Sequence, residues 1–307
     1  MVFALRATAF LALSAAVPAQ AQSGEAAVDP TIVVTGKQML TEDEAHEVIQ
    51  RAARTVDGQL ARFDQPVCPR VTGFDTPYER IVAERIKQTA ETVGASAGAD
   101  GCLTNLQVVI VDDGREFVEL LRREHPEAFA GVSRRELARL AAEEGAARSW
   151  SVTAMTNSAG AIAGRPSPTA GSGSVKSGFG GSSVGFGDVN VMRVYESSNM
   201  NPSVQQAIAS AWVVIETGAT FGKSLAQIAD YAAMRGLAMV RPAELAASQD
   251  TILALFEPGS TSGPAELTEF DHAYLKSLYR VPARRWARQQ VRQMADAIVR
   301  ESEQGSP

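Results

Sequence analysis

The residues of this chain whose types and spacing come nearest to chemistry are a histidine-glutamate pair and two adjacent aspartates. His46-Glu47-Val48-Ile49-Gln50 falls one residue short of H-E-x-x-H, in which two histidines four apart on one helical face hold zinc and the glutamate polarises the bound water. Glutamine stands where the second histidine belongs and binds zinc weakly, so the pattern reads as a solvated helix face. Asp112-Asp113 suits acid–base work, but two aspartates followed by Gly114 after an apolar run more often end a strand in a turn. His125 precedes Pro126 at a helix end, where a cation meets the helix dipole favourably, and His272 sits inside a capped helix where it packs or hydrogen-bonds. There is no G-x-S-x-G elbow, P-loop or dinucleotide fingerprint, and the glycines at 178–187 form a low-complexity run. Cys68 and Cys102 are the only cysteines, an even pair without metal-type spacing. They predict a disulfide, which would leave no thiol nucleophile.

The N-terminus explains why a disulfide is expected. Arg6, the largely apolar run 9–17 and Ala19-Gln20-Ala21 match the three regions of a secretory signal peptide, and the run is far short of the ~20 residues a spanning helix needs. Residues 1–21 are therefore expected to be cleaved, leaving a chain that works in the periplasm or outside the cell. No later stretch is apolar enough to span a bilayer. A net charge of −6 with basic residues scattered among acidic ones carries no footprint for nucleic acid.

The elements that must position these residues follow from caps and periodicity. Residues 22–40 read as a flexible linker; within it Ile32-Val33-Val34-Thr35-Gly36 resembles the TonB box of outer-membrane receptors, against the simpler reading of a β-prone tail. Thr41 with Glu44 is a capping box before a first helix, and Thr76-Pro77-Tyr78-Glu79 is read as another. Residues 65–73 predict a strand carrying Cys68, and 106–111 a strand buried on both faces. Helices are expected over 114–124 and from a capping box of Ser133 with Glu136. Residues 150–155 and 190–196 alternate like the two strands of a hairpin, with a Gly/Ser-rich excursion at 158–187 between them. Residues 211–216 are a further apolar run before a helix capped by Ser224 and Gln227, and helices at 268–279 and 282–301 close the chain. This is the order of an α+β domain, a mixed sheet packed by helices with a C-terminal helical part. In the last helix Arg284, Arg285, Arg288, Arg292 and Arg300 accompany Trp286, Val291, Met294 and Ile298, which reads as an amphipathic helix docked on the domain rather than one lying in a membrane surface.

With those elements in place, the order and three stretches resemble the zincin-like, zinc-peptidase-like exported bacterial proteins of unknown function. The stretches are Asn105-Leu106-Gln107-Val108, the run 211–215 before a helix, and Leu267-Thr268-Glu269-Phe270-Asp271 with Tyr274-Leu275 and Leu278-Tyr279. The resemblance implies a single zincin-like domain over 41–303 whose metal helix contains residues 230–237. There Asp230 stands for the first histidine, Tyr231 for the general base and Met234 for the second histidine. Of these only an aspartate is a plausible zinc ligand; a thioether is a poor one, and tyrosine, with a reference pKa near ~10, does not replace a carboxylate base.

The expectation is a non-catalytic binding or scaffolding module of the cell envelope, with no cofactor and an unidentified protein or peptide partner. A site, if present, is expected near Asp230, Tyr231 and Met234 with the glycine-rich excursion as a flap. The rival is a hydrolase with an unconventional site, metal-dependent through His46, Glu47 or His272; a weaker one is an accessory to outer-membrane transport through the segment at 32–36.

Overall fold

The structure, a computed structural model, describes residues 40–157, 201–260 and 262–304. In chain order it contains α1 (Glu42–Ala52), the short strands β1 (Thr55–Val56) and β2 (Gln59–Leu60), β3 (Pro69–Thr72), α2 (Thr76–Thr92), β4 (Leu106–Val111), α3 (Gly114–Glu124), α4 (Arg134–Ala142) and β5 (Ala147–Thr156). There follow β6 (Gln205–Glu216), α5 (Thr217–Thr220), α6 (Leu225–Leu237), α7 (Pro242–Ala246), α8 (Glu269–Arg280) and α9 (Ala287–Gln304), with 3₁₀ turns at Pro126–Phe129 and Ile252–Phe256. The expected signal peptide, linker residues 22–39, the segment at 32–36, the excursion at 158–187 and the strand at 190–196 lie outside the described residues. Among the described residues no helix is long and apolar enough to cross a membrane.

Caps set most helix starts. Thr41 and Glu44 exchange bonds at α1, Ser224 and Gln227 at α6, and Thr268 and Asp271 at α8, each satisfying two of the backbone N–H groups that a helix start leaves free. The expected box at Thr76 is not formed. Asp75 takes the cap position, which makes Tyr78 the third helical residue, and Glu79 instead accepts the Gly73 N–H at 3.0 Å. Helix α9 begins at Ala287, later than expected: Gln290 donates to the Pro282 and Ala283 carbonyls, and the Ala287 N–H donates to Gly58.

The sheet runs β3-β4-β6-β5, parallel except for the antiparallel β5–β6 pair at one edge. Strand β5 pairs with β6 over its whole length, Trp150 opposite Trp212, while the partner expected for residues 150–155 at 190–196 lies outside the described residues. The run at 211–216 is the second half of this strand, so one element serves as the partner of both β4 and β5.

Alternation then assigns two faces. Leu106, Val108 and Ile110 of β4 and Ala211, Val213 and Ile215 of β6 join the main core with α1, α2, α6, α8 and α9. Val214 and Trp212 face a smaller core with α3 and α4, where Phe129, Trp150 and Trp212 stack at centroid distances of 4.7 and 5.4 Å. Strand β4 is fully buried on the first face and only half-buried on the second, short of the two buried faces expected, because the smaller layer covers it incompletely.

Cys68 and Cys102 are bonded, 34 residues apart in sequence, with Cα atoms 6.0 Å apart. Cys68 lies just before β3, which is shorter than the strand expected at 65–73, and Cys102 lies before β4. The disulfide thus clamps the ends at which two parallel neighbours begin. Asn105 reinforces the clamp, accepting the Cys68 N–H at 2.7 Å and donating to the Pro66 carbonyl at 2.9 Å. Closing a loop of this length stabilises the fold by about 3 to 4 kcal/mol in the chain-entropy model. Replacing both cysteines by serine is expected to lower the free energy of unfolding in urea by that order; a loss well under 1 kcal/mol would show that the clamp is redundant.

Candidate functional site

Helix α6 carries all three positions singled out from the resemblance, and it is enclosed: residues 228–237 are all buried. Gly236 lets it approach the sheet, since a Cβ there would lie 2.5 Å from a methyl of the fully buried Leu106. Asp230 is 1 % exposed. Its two oxygens accept Nε and Nη2 of Arg85 on α2 at 2.7 Å each, and one of them also takes the Leu267 N–H at 3.0 Å. This is the two-pronged pairing for which guanidinium is shaped, and it raises the Arg85 pKa, chiefly through the bond to Asp230.

Tyr231 is 1 % exposed and Met234 fully buried. The Tyr231 hydroxyl accepts Nη1 of Arg235 at 2.9 Å, and its ring meets Phe256 edge-on at 4.6 Å. Burial pushes its pKa up to about 12, so the hydroxyl stays protonated at any ordinary pH. Met234 packs within the main core. The three side chains are therefore not brought to one open cleft. Asp230 serves the contact with α2, Tyr231 serves Arg235, and Met234 fills space.

Arg235 opens a polar chain for which sequence reading had no signal. Its Nε donates to Ser149 Oγ of β5 at 2.8 Å and its Nη2 to Glu143 at 3.1 Å. Glu143 also accepts from Arg139 at 3.1 Å, Arg139 donates to Glu136 at 3.0 and 2.6 Å, and Glu136 pairs with Arg54 just past α1. Five alternating charges thus link the end of α1, α4 and α6, with β5 joined through Ser149. Desolvation pulls the Arg235 pKa down, but Tyr231 and Glu143 outweigh it and the net shift is upward. Burial brings Arg54 down to about 10, Glu136 opposing. The i,i+3 and i,i+4 pairs within the Glu136, Arg139 and Glu143 set were readable from spacing; their joining to Arg54 and Arg235 was not.

The closing motif docks on the same helix. The Leu267 N–H meets Asp230, and fully buried Asp271 accepts from the hydroxyl of Thr251, from Ile252 N–H at 2.8 Å and from Thr268 N–H at 3.0 Å. Burial raises the Asp271 pKa, and these bonds oppose the rise. The motif aspartate thus caps α8 and holds the 251–252 turn.

The remaining candidates sit apart from this cluster. His46 is half-buried on α1, and its neighbour Glu47 pairs with Arg51 at 3.1 Å. His125 is exposed at the end of α3 with its ring 3.0 Å from Glu127, and His272 is half-buried on α8. Asp113 caps α3, accepting the Glu116 and Arg115 N–H groups at 2.9 Å, bonds that hold its pKa below the usual range; this is the turn reading of the two aspartates. Among the described residues no three His, Cys, Asp or Glu side chains gather as a metal ion would require. Comparison with protein-family models, curated proteins and solved structures finds no match for this chain.

The arrangement around α6 ties the helix to α2, to β5 and to the stretch before α8. Asp230→Ala is expected to destabilise the protein by roughly 2 to 4 kcal/mol in urea unfolding, since it strands the Leu267 N–H and leaves Arg85 only its longer 3.4 Å contact with exposed Glu266. A change below ~0.5 kcal/mol would mean that the pairing carries no net stability. Glu257 gives a pH test. Its pKa is raised by burial and by Glu143, against Arg235. A carboxyl whose folded pKa exceeds its unfolded value favours folding below the unfolded pKa and loses that contribution as pH rises through the folded one. Glu257→Gln is therefore expected to gain stability over the parent protein at neutral pH and to show no gain in acid below the usual glutamate range, measured by urea unfolding across pH.

Proposed function

We propose that this chain is an exported cell-envelope protein whose zincin-like domain is non-catalytic and serves as a binding or scaffolding module. One observation carries the reading: each of the three positions where the resemblance places metal chemistry is buried and already engaged, Asp230 by Arg85 and Leu267, Tyr231 by Arg235, and Met234 by the core. A hydrolytic site needs an open coordination position and a base that can lose a proton near neutral pH. A carboxylate that already accepts three N–H bonds and a phenol with its pKa near 12 meet neither need.

Two further observations favour the placement. The closing motif that carries the resemblance most specifically lies against α6, its Leu267 N–H on Asp230. The Cys68–Cys102 bond suits an oxidising compartment, in keeping with the signal-like N-terminus.

Elemental mass spectrometry of the protein purified from a periplasmic extract, without chelator or histidine tag, tests the reading. Zinc far below one atom per chain is expected, together with no peptide hydrolysis above background in either the parent protein or Tyr231→Phe, which keeps the ring packing. Near-stoichiometric zinc, or a peptidase activity that disappears in Tyr231→Phe, would overturn it.

A further inference from the structure

Away from α6, a cavity of about 450 Å³ opens between the segment that leads into β6 and the one that joins α8 to α9. Its wall includes Arg62, Ser203, Gln205, Arg284 and Arg285, and among the described residues that line it none is acidic. Asp64 acts on Arg62 as a counter-charge; it is exposed and accepts from Gln205 at 3.3 Å.

Two of these arginines are held in place by neutral groups. The Arg62 backbone is fixed by the Ile208 N–H, which donates to its carbonyl at 2.9 Å. Its Nη1 is clamped by the carbonyls of Leu278 and Val281 at the end of α8, and its guanidinium lies 6.0 Å from the Tyr279 ring centroid. Nε and Nη2 of Arg62 make no hydrogen bond among the described residues, so part of the fork remains for an acceptor. Arg285 is steered by a neutral partner, its Nη1 donating to Asn201 Oδ1 at 2.7 Å. A guanidinium clamped by neutral carbonyls gives up hydration that an anion restores; burial accordingly lowers the Arg62 pKa, with Tyr279 and Asp64 opposing. The planar fork suits oxyanions, and the volume falls within the roughly 300 to 1,000 Å³ of small-molecule sites.

We infer that this cavity binds a small molecule through a multiply charged oxyanion group held by Arg62 and Arg285, with Ser203 and Gln205 as neutral hydrogen-bonding groups in its wall. It shares no residue with the α6 cluster, so it stands or falls separately from the non-catalytic reading.

Calorimetric titration of the full chain with pyrophosphate and with citrate, in chloride buffer, tests it. At least one probe is expected to bind the parent protein, with affinity reduced roughly tenfold to a hundredfold in Arg285→Gln and unchanged in Arg122→Gln, an exposed arginine on α3. Pyrophosphate alone would assign a phosphate-bearing ligand, citrate alone a carboxylate-bearing one, and both together a general oxyanion site. Arg62→Gln should weaken binding similarly, with its melting temperature followed because Arg62 also holds the end of α8. Binding of neither probe, full affinity in Arg285→Gln, or an equal loss in Arg122→Gln would overturn the inference.

Discussion

Helix α6 is enclosed over residues 228–237, and a helix surrounded on all sides tolerates charge only where every charge meets a partner. Asp230 and Arg235 are the two charges it carries there, and each dictates what its neighbours must be. Asp230 requires a guanidinium from α2 and a free N–H from the stretch before α8. Arg235 requires acceptors from α4, β5 and its own preceding turn. The helix is thereby locked in orientation as well as in depth, and the elements around it are locked with it.

That lock explains how a sheet of four strands supports so many helices. Strand β6 lies between β4 and β5 and divides the interior: one face carries the main core, the other the stacked rings of Phe129, Trp150 and Trp212. Helix α6 lies against the first face where Gly236 admits it to Leu106. The polar chain from Arg235 through Glu143 and Arg139 to Arg54 adds charged links from α6 to α4 and to the end of α1. Burying charges in this way offers little net stability compared with apolar packing, but it penalises any other arrangement of the same elements, because each unpaired member would cost several kcal/mol.

Chemistry and architecture therefore separate in this protein. Asp230, Tyr231 and Met234, singled out by the resemblance, are engaged within the fold, whereas Nε and Nη2 of Arg62 at the cavity wall make no hydrogen bond among the described residues. The closing motif shows the same division. Asp271, in the stretch that looks most like a signature, is spent on capping α8 and holding a neighbouring turn.

Local rules were enough for elements whose signals lie within a few residues of one another. The capping boxes at Thr41 and Ser224 start their helices, Ser133 caps α4 by accepting the Glu136 N–H, residues 114–124 form α3 as their periodicity implies, the apolar run at 106–111 is a strand, and the only two cysteines are joined. Where two local signals competed, the tertiary structure chose: Asp75 displaced Thr76 as the cap, and Gly58 received the Ala287 N–H that starts α9 late. Alternation tells a strand which face to bury and not which neighbour to bond, so the pairing of β5 with β6 had no local signal. The sequence by itself determined the α+β class, the capping boxes at Thr41 and Ser224, and the absence of histidine from residues 225–237. Only the tertiary structure decided that Asp230 meets Arg85 and that Arg235 meets Glu143, since such partners lie 145 and 92 residues apart and no periodicity links them.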